Sequence, residues 1–393
     1  MVLPLEGILV VSLEQAVAAP FASRQLADLG ARVIKVERPA GGDFARGYDN
    51  KAKGMSAYFV WLNRSKESLT LDLKHQEAPR ILSRLLERAD VLLQNLAPGA
   101  ATRLGLSGEA LVTQYPRLIA CDISGYGSDG PYSAKKAYDL LVQCETGLVS
   151  ITGTPDTPCK VAISIADIAA GMYAYSGVLT ALYQREKTGR GTAFEVSMFE
   201  ALGEWMTQPG YFAAYGGNAP PRSGASHASI YPYGPFETGD GKTVFFGIQN
   251  DRQWANFCAD VLGQPELASN PRFDSNTQRI NNRATLAPII ERSLLQLDAQ
   301  QVLARLDEAQ IPNARLNSVK EFWDHPHLQA RGRWRKIDSP VGSLQSMLPP
   351  VTMEGVIPYM GPVPALGQHT RTILKELGYT EDTINQLANG AAI

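Results

Sequence analysis

Near its start the chain carries a short apolar run, a helical pattern and a second apolar run, and this order restricts the fold more than any other feature. Gly7 to Ser12 reads as a buried strand, continuous and apolar. Pro20 fits the first turn of a helix running to Leu29, and Gly30 fits the position just past its end. Arg32 to Val36 reads as the next strand. A β-α-β unit this compact predicts a parallel sheet. Further strands are expected at Ser68–Leu73, Val91–Leu93, Leu118–Ile123 and Phe194–Val196, with a helix over roughly Ala78–Arg88. The turn after Ser12 lacks the GxGxxG pattern of dinucleotide-binding folds, and no GxxxxGK[ST] occurs, which disfavours NAD, FAD and the simplest NTPase reading.

The strands end in a recurring way. Arg38, Lys74, Asn95, Arg103 and Lys136 each follow a strand or lie one turn beyond it. Any one of them taken alone is an ordinary solvated residue. Gathered at one sheet edge, they would form a rim suited to a phosphorylated ligand. A glycine-rich loop, Ser124 to Pro131, closes one of these connections.

Ile163 to Met172 ends a β-like run, places Asp167 at a corner and opens a helix. Ile168, Met172, Tyr175, Leu179 and Leu182 follow the period of one helix face, and Thr188-Gly189-Arg190-Gly191 stops it. Asp167 is therefore expected at or just before a helix N-terminus, where backbone N–H groups and the dipole favour the ionised carboxylate. Two readings stay open at this point, a helix cap and a carboxylate nucleophile.

The length of 393 residues suits two domains with room for a large core. A formal charge of −2 gives no electrostatic case for nucleic acid or an anionic membrane. Four scattered cysteines without a CxxC pair indicate neither a zinc site nor a disulfide framework. We read no signal peptide and no membrane span, which makes the cytoplasm the expected compartment. The expected division is a large domain over 1–210, a linker over 211–223, a small α+β domain over 224–323, and a second linker with a C-terminal return over 324–393. Within the small domain, strands at Ser229–Phe236 and Thr243–Ile248 precede helical patterns at Asp251–Leu262 and Thr285–Gln310.

Taken together, the motifs resemble the class III CoA-transferase family, along nearly the whole chain. The resemblance is carried by Gly30 to Pro39, Gly42-Asp43, Leu62-Asn63-Arg64, Leu71 to Lys74, Ala89 to Leu92, Pro98-Gly99, Arg103 to Leu106, Gly125 to Gly127 with Gly130-Pro131, Ala166-Asp167, Thr188 to Gly191, Asn270 to Phe273 and Leu366 to His369. It implies an α/β protein with a Rossmann-like large domain whose parallel sheet is built from both chain ends, a smaller α+β domain, and an interlocked homodimer. It implies that Asp167 attacks an acyl-CoA thioester, passing through a mixed anhydride and an aspartyl-CoA thioester with no metal. Coenzyme A would lie against Gln15, Ala16, Arg38, Leu71, Lys74, Asn95, Leu96, Ala97, Arg103, Lys136 and Tyr138. His227 is a further candidate for reaching the substrate, and Gln249 and Asn250 for lining the acceptor pocket. The partners implied are small acyl-CoA and carboxylic acid molecules.

The branch of closest resemblance uses C4–C5 dicarboxylates, with succinyl-CoA as donor and itaconate, mesaconate or citramalate as acceptor. The second carboxylate of such an acid calls for another cation, and Arg46 or Arg222 could serve. An intramolecular mesaconyl-CoA transferase remains open. So does an α-methylacyl-CoA racemase, although its Gly-His-Asp segment reads Ala137-Tyr138-Asp139 here. Tyr, with a pKa near ~10, is a poor base at neutral pH. A CoA-binding protein without catalysis would retain the fold but exchange nothing.

Overall fold

The computed structural model describes residues 2–393. Two compact units divide the chain: residues 1–148, 161–208 and 328–393 in one, and 149–160 with 209–327 in the other. The first unit holds a six-stranded parallel sheet of β1 (Leu9–Leu13), β2 (Arg32–Glu37), β3 (Lys66–Thr70), β4 (Val91–Gln94), β5 (Ile119–Ser124) and β6 (Ala193–Ser197). Their spatial order is β3-β2-β1-β4-β5-β6. The order reverses between β1 and β4, and in open α/β sheets ligands bind outside the strand C-termini at such a reversal.

Alternation along the strands builds a core on each face. Val10, Val33, Val91 and Cys121 pack against helices Ala18–Asp28 and Ile165–Thr188. Val11, Ile34, Leu92 and Ala120 face the helix Ala78–Leu86 and the C-terminal residues Ile373, Leu374 and Ile384. Helix Ile165–Thr188 is long and apolar enough to cross a membrane, yet Ala166, Ala169, Ala170, Ala174 and Val178 are buried in this core.

Small residues let the two helices on the first face come very close. A Cβ on Gly171 would stand 2.6 Å from the Ala18 carbonyl oxygen, a backbone atom that cannot yield cheaply. Gly171→Ala is expected to cost about 1–3 kcal/mol of stability through overpacking. It should also slow transfer by roughly tenfold or more, because the residues at this contact set the reacting geometry. Thermal melts and single-turnover rates would read the two effects.

The sheet is not built from both chain ends as expected: all six strands lie between Leu9 and Ser197, and the C-terminal segment, although part of this unit, adds no strand to it and instead closes the outer edge of β3. The Ser68 amide donates to His369 Nδ1 at 3.1 Å, the His369 amide returns to the Ser68 carbonyl at 3.0 Å, and the Thr70 amide donates to Thr370 Oγ1 at 2.9 Å. Just before this segment, Trp334–Ile337 and Leu344–Met347 form an antiparallel hairpin.

The second unit contains a three-stranded antiparallel sheet of Tyr233–Glu237, Thr243–Gly247 and Asn313–Arg315. Phe236, Phe246, Trp254 and Phe257 centre its core.

Several boundaries differ from the sequence expectation. The third strand lies at Lys66–Thr70, not Ser68–Leu73, because it pairs in register with Val33–Glu37 and Leu71 leaves the sheet. Residues 229–232 stay outside the strand that begins at Tyr233. The single helical pattern Thr285–Gln310 is two helices, Arg283–Leu294 and Ala299–Glu308. Asp298 starts the second with a capping box to Gln301. The stretch 211–223 opens in a helix, Thr207–Gly216. The run before Asp167 is not a strand.

Candidate active site

Helix Ile165–Thr188 begins before Asp167, which occupies its third position rather than the corner ahead of it. The N-cap residue, Ser164, makes no side-chain capping hydrogen bond. The Ala166 amide instead donates to Asp139 Oδ1 at 2.8 Å, and the Asp167 amide lies 3.4 Å from the same oxygen.

Asp167 also faces a second helix start. The Ala18 amide, in the first turn of Ala18–Asp28, donates toward its carboxylate. Two helix N-termini thus meet at one half-buried carboxyl; Asp139 takes the first-turn amides of its own helix, and the facing Ala18 amide is the donor suited to a developing oxyanion. The expectation that this setting keeps Asp167 readily ionised is corrected by its surroundings. Burial, and then the Asp139 charge, push the carboxyl up to about 7 against the opposing Ala18 amide. Tyr48 lies within electrostatic reach, and burial followed by Asp43 and Asp167 pushes its phenol up to about 12. It is therefore a neutral donor at physiological pH.

Of the CoA-side candidates, Gln15, Ala16, Arg38, Leu71, Asn95 and Leu96 lie near the point where the sheet order reverses. Gln15 and Asn95, which follow β1 and β4, lock together. The Gln15 amide donates to Asn95 Oδ1 at 2.9 Å, and Asn95 Nδ2 donates to the Gln15 carbonyl at 2.8 Å. Ala16 holds a left-handed backbone, φ 63°, and its amide donates to Asp43 Oδ1 at 3.0 Å. A strained non-glycine residue of this kind persists only where its neighbours fix it. A small cleft between the ends of β1, β2 and β4 is lined by Gln15, Glu37, Arg38, Leu71, Leu73 and Leu96. Arg38, Lys74, Ala97 and Lys136 are exposed on loops and turns, and Arg103 ends the short helix Ala100–Arg103; all lie on connections that follow strands of this one parallel sheet. Arg38 donates to the Gly42 carbonyl at 3.1 Å. Tyr138, 70% exposed, precedes the helix Asp139–Glu145.

Most of the acceptor-side candidates already hold partners within the chain. Arg46 clasps Glu37 with two hydrogen bonds, 2.8 and 2.7 Å, and lies 3.7 Å over the Phe59 ring. Arg222 donates to the carbonyls of Ser150, Thr154 and Pro155. Both guanidinium groups serve the fold, so neither is free for a second substrate carboxylate. His227 stacks on Tyr233, and its Nδ1 accepts from the Ser229 amide. The Gln249 amide donates to Gln253 Oε1, and Asn250 caps the helix Asp251–Asn256. These three residues belong to the second unit.

A buried ionic cluster beneath the site went unread in the sequence. Glu14 Oε1 accepts from Lys66 Nζ at 2.6 Å and Lys35 Nζ at 3.2 Å, and Lys35 reaches Asp43 Oδ2 at 2.7 Å. All four side chains are buried. Burial works against the Glu14 carboxylate, yet the two lysines hold it down to about 2. Burial pulls the Lys66 ammonium down to about 7. Through Asp43 the cluster fixes Ala16, and through Lys66, which donates to the Pro20 carbonyl at 3.1 Å, it fixes the helix start facing Asp167. Lys35 amid Val33, Ile34 and Val36 was the available signal, since a lysine in a buried run needs partners.

The family model described as CoA-transferase family III matches residues 5–370. The chain belongs to CoA-transferase family III. Among family members, it is 34% identical over 389 residues to the succinyl-CoA:glutarate CoA-transferase of Mus musculus, covering 98% of this chain and 89% of that one. It is 34% identical to the succinyl-CoA--D-citramalate CoA-transferase of Chloroflexus aurantiacus, covering 98% and 96%. A solved CAIB/BAIF family protein from Brucella suis superposes with a TM-score of 0.84 at 32% identity, covering 96% and 100%. The chain is thus a CoA-transferase, whose substrates are CoA thioesters and carboxylic acids.

Proposed function

We propose that this enzyme moves CoA from succinyl-CoA to a C4–C5 dicarboxylic acid, such as itaconate, mesaconate, citramalate or glutarate, through Asp167. The observation that carries this reading is the convergence of two helix N-termini on one reactive carboxyl. The names of the relatives support the donor and the acid class.

In the proposed course the ionised Asp167 attacks the thioester carbonyl carbon. The C–S bond breaks, giving a mixed anhydride and CoA thiolate. The thiolate then attacks the aspartyl carbonyl, expelling succinate and leaving an aspartyl-CoA thioester. The acceptor carboxylate attacks that thioester, forming a second anhydride and freeing the thiolate again. Attack of the thiolate on the acceptor acyl carbon restores Asp167 and releases the new acyl-CoA. One difficult exchange becomes four steps between activated acyl groups, with no net proton change. The Ala18 amide at the facing helix start is the backbone donor placed to stabilise each tetrahedral oxyanion. Gln15, Ala16, Arg38, Leu71, Lys74, Asn95, Leu96, Ala97, Arg103, Lys136 and Tyr138 form the proposed CoA surface, in a homodimer working in the cytoplasm.

A racemase reading draws on one observation, since a carboxyl titrating near 7 also suits a general acid or base. Incubation with succinyl-CoA, quenching with hydroxylamine and peptide mass spectrometry separates the two. Transfer predicts a hydroxamate on Asp167 that disappears when a dicarboxylate acceptor is added. An untagged Asp167 together with deuterium exchange at Cα of an acyl-CoA would replace transfer with racemisation.

A further inference from the structure

Asp139 lies on a different helix from Asp167, yet it supplies the cap that the Asp167 helix lacks. Its Oδ1 takes the Ala166 amide at 2.8 Å and lies 3.4 Å from the Asp167 amide. Its Oδ2 accepts from Gln143 Nε2 at 2.7 Å. Gln143 is fully buried, and its Oε1 is anchored by the Val161 amide at 2.9 Å. This chain of bonds sets Asp139 rigidly in place. An acidic residue in the third helical position ordinarily turns back toward the free N–H groups of its own first turn. Here those groups are occupied from outside, and the backbone donor to the Asp167 carboxylate is Ala18 on the facing helix.

We propose that Asp139 is a positioning residue for Asp167, capping the nucleophile's helix from outside so that the Asp167 carboxylate stays turned toward Ala18 and free to react. The proposal rests on Asp167 being the acyl-accepting carboxylate. The groups facing Asp167 are few. The helix Asp139–Glu145 contributes Asp139, the helix Ala18–Asp28 contributes the Ala18 amide, and the 44–48 turn contributes Tyr48, with Asp43 and Tyr138 facing Tyr48 in turn. Asp139 is thus the charge that raises Asp167 after burial, and a more basic carboxylate is a stronger nucleophile.

Two variants separate the cap from the charge. Asp139→Asn keeps an acceptor oxygen and removes the charge, whereas Asp139→Ala removes both. Single-turnover hydroxamate formation on Asp167 with succinyl-CoA would be followed from pH 5 to 9, beside calorimetric CoA affinity and thermal melts. In Asp139→Asn the acid limb should move to lower pH by on the order of one unit, with a plateau within about tenfold of wild type. In Asp139→Ala the plateau should fall by about a hundredfold while CoA affinity changes less than about threefold. Should the Ala variant fail to fold, Asp139→Ser, whose shorter side chain falls short of the Ala166 amide, takes its place. A tagged wild type with a plateau unchanged in the variant that lacks the cap overturns the positioning role and leaves the transferase reading intact. No hydroxamate on wild-type Asp167 overturns both.

Discussion

Asp167→Asn is expected to abolish transfer and, at pH 8, to give a folded protein more stable than its parent. The loss of activity should be at least about 10⁴-fold, as for removal of a nucleophile acting with its surroundings as a unit. The gain in stability follows from linkage. The Asp167 carboxyl titrates near 7 in the folded chain, against an ordinary value of 3.8. Between those values the folded state holds a proton that the unfolded chain has released. Stability therefore falls as pH rises from about 4 to 7, and the full cost is present above 7. At about 1.4 kcal/mol per unit, and with some solvent access, the cost is roughly 2–4 kcal/mol. A neutral amide removes it, raising Tm by about 4–7 °C at pH 8 and by little below pH 4. Melts of both proteins at the two pH values check this. Equal melting temperatures at pH 8 would show that Asp167 is better solvated than its position between two helices indicates.

Glu14→Gln is expected to destabilise the first unit by about 3–5 kcal/mol, because removing one partner from a buried ion cluster leaves the others uncompensated. The amide fills the same space but returns no charge to two buried ammonium groups. Lys35 retains Asp43 at 2.7 Å, whereas Lys66 keeps only the Asn63 and Pro20 oxygens, each at 3.1 Å. Glu14 is held at about 2 against an ordinary 4.5, so its contribution is complete above about 4.5 and is lost as pH falls toward 2. Lys66 runs the other way. Its folded value near 7 lies below 10.5, so the unfolded chain binds the extra proton between them and stability rises with pH across that window. The variant's deficit should therefore be largest near pH 6 and shrink toward pH 9, where Lys66 is neutral in the fold. Urea denaturation at the two pH values reads this, and replacing Lys66 by Met in the same background should recover part of the loss.

The two variants bear on how much of the molecule was legible in its residues. The parallel sheet was readable because Gly7–Ser12 and Arg32–Val36 are continuous apolar runs around a well-marked helix. The place of Asp167 near a helix start is legible in its neighbours. Its exact turn is not, because the cap comes from Asp139, 28 residues away. The elevated carboxyl pKa was hidden for the same reason, since burial and a distant like charge leave no local mark. Arg46 shows the opposite failure. A cation in a promising loop drew attention as a substrate group, and only the fold reveals that Glu37 and Phe59 already hold it. Sequence pattern records periodicity and local caps. It does not record which charges meet across the interior.

The closing of β3 by residues near the C-terminus has a consequence for biosynthesis. A ribosome emits Ser68 and Thr70 roughly 300 residues before His369 and Thr370, which at about 5–20 residues per second leaves this sheet edge uncovered for some 15–60 s. An uncovered edge is a template for pairing with other chains, so the nascent protein passes through an adhesive stage before its last residues seal it. Chains shortened before residue 367 would remain in that stage, and their fate in the cell would be aggregation or capture by chaperones, even with Asp167 and the rest of the sheet intact.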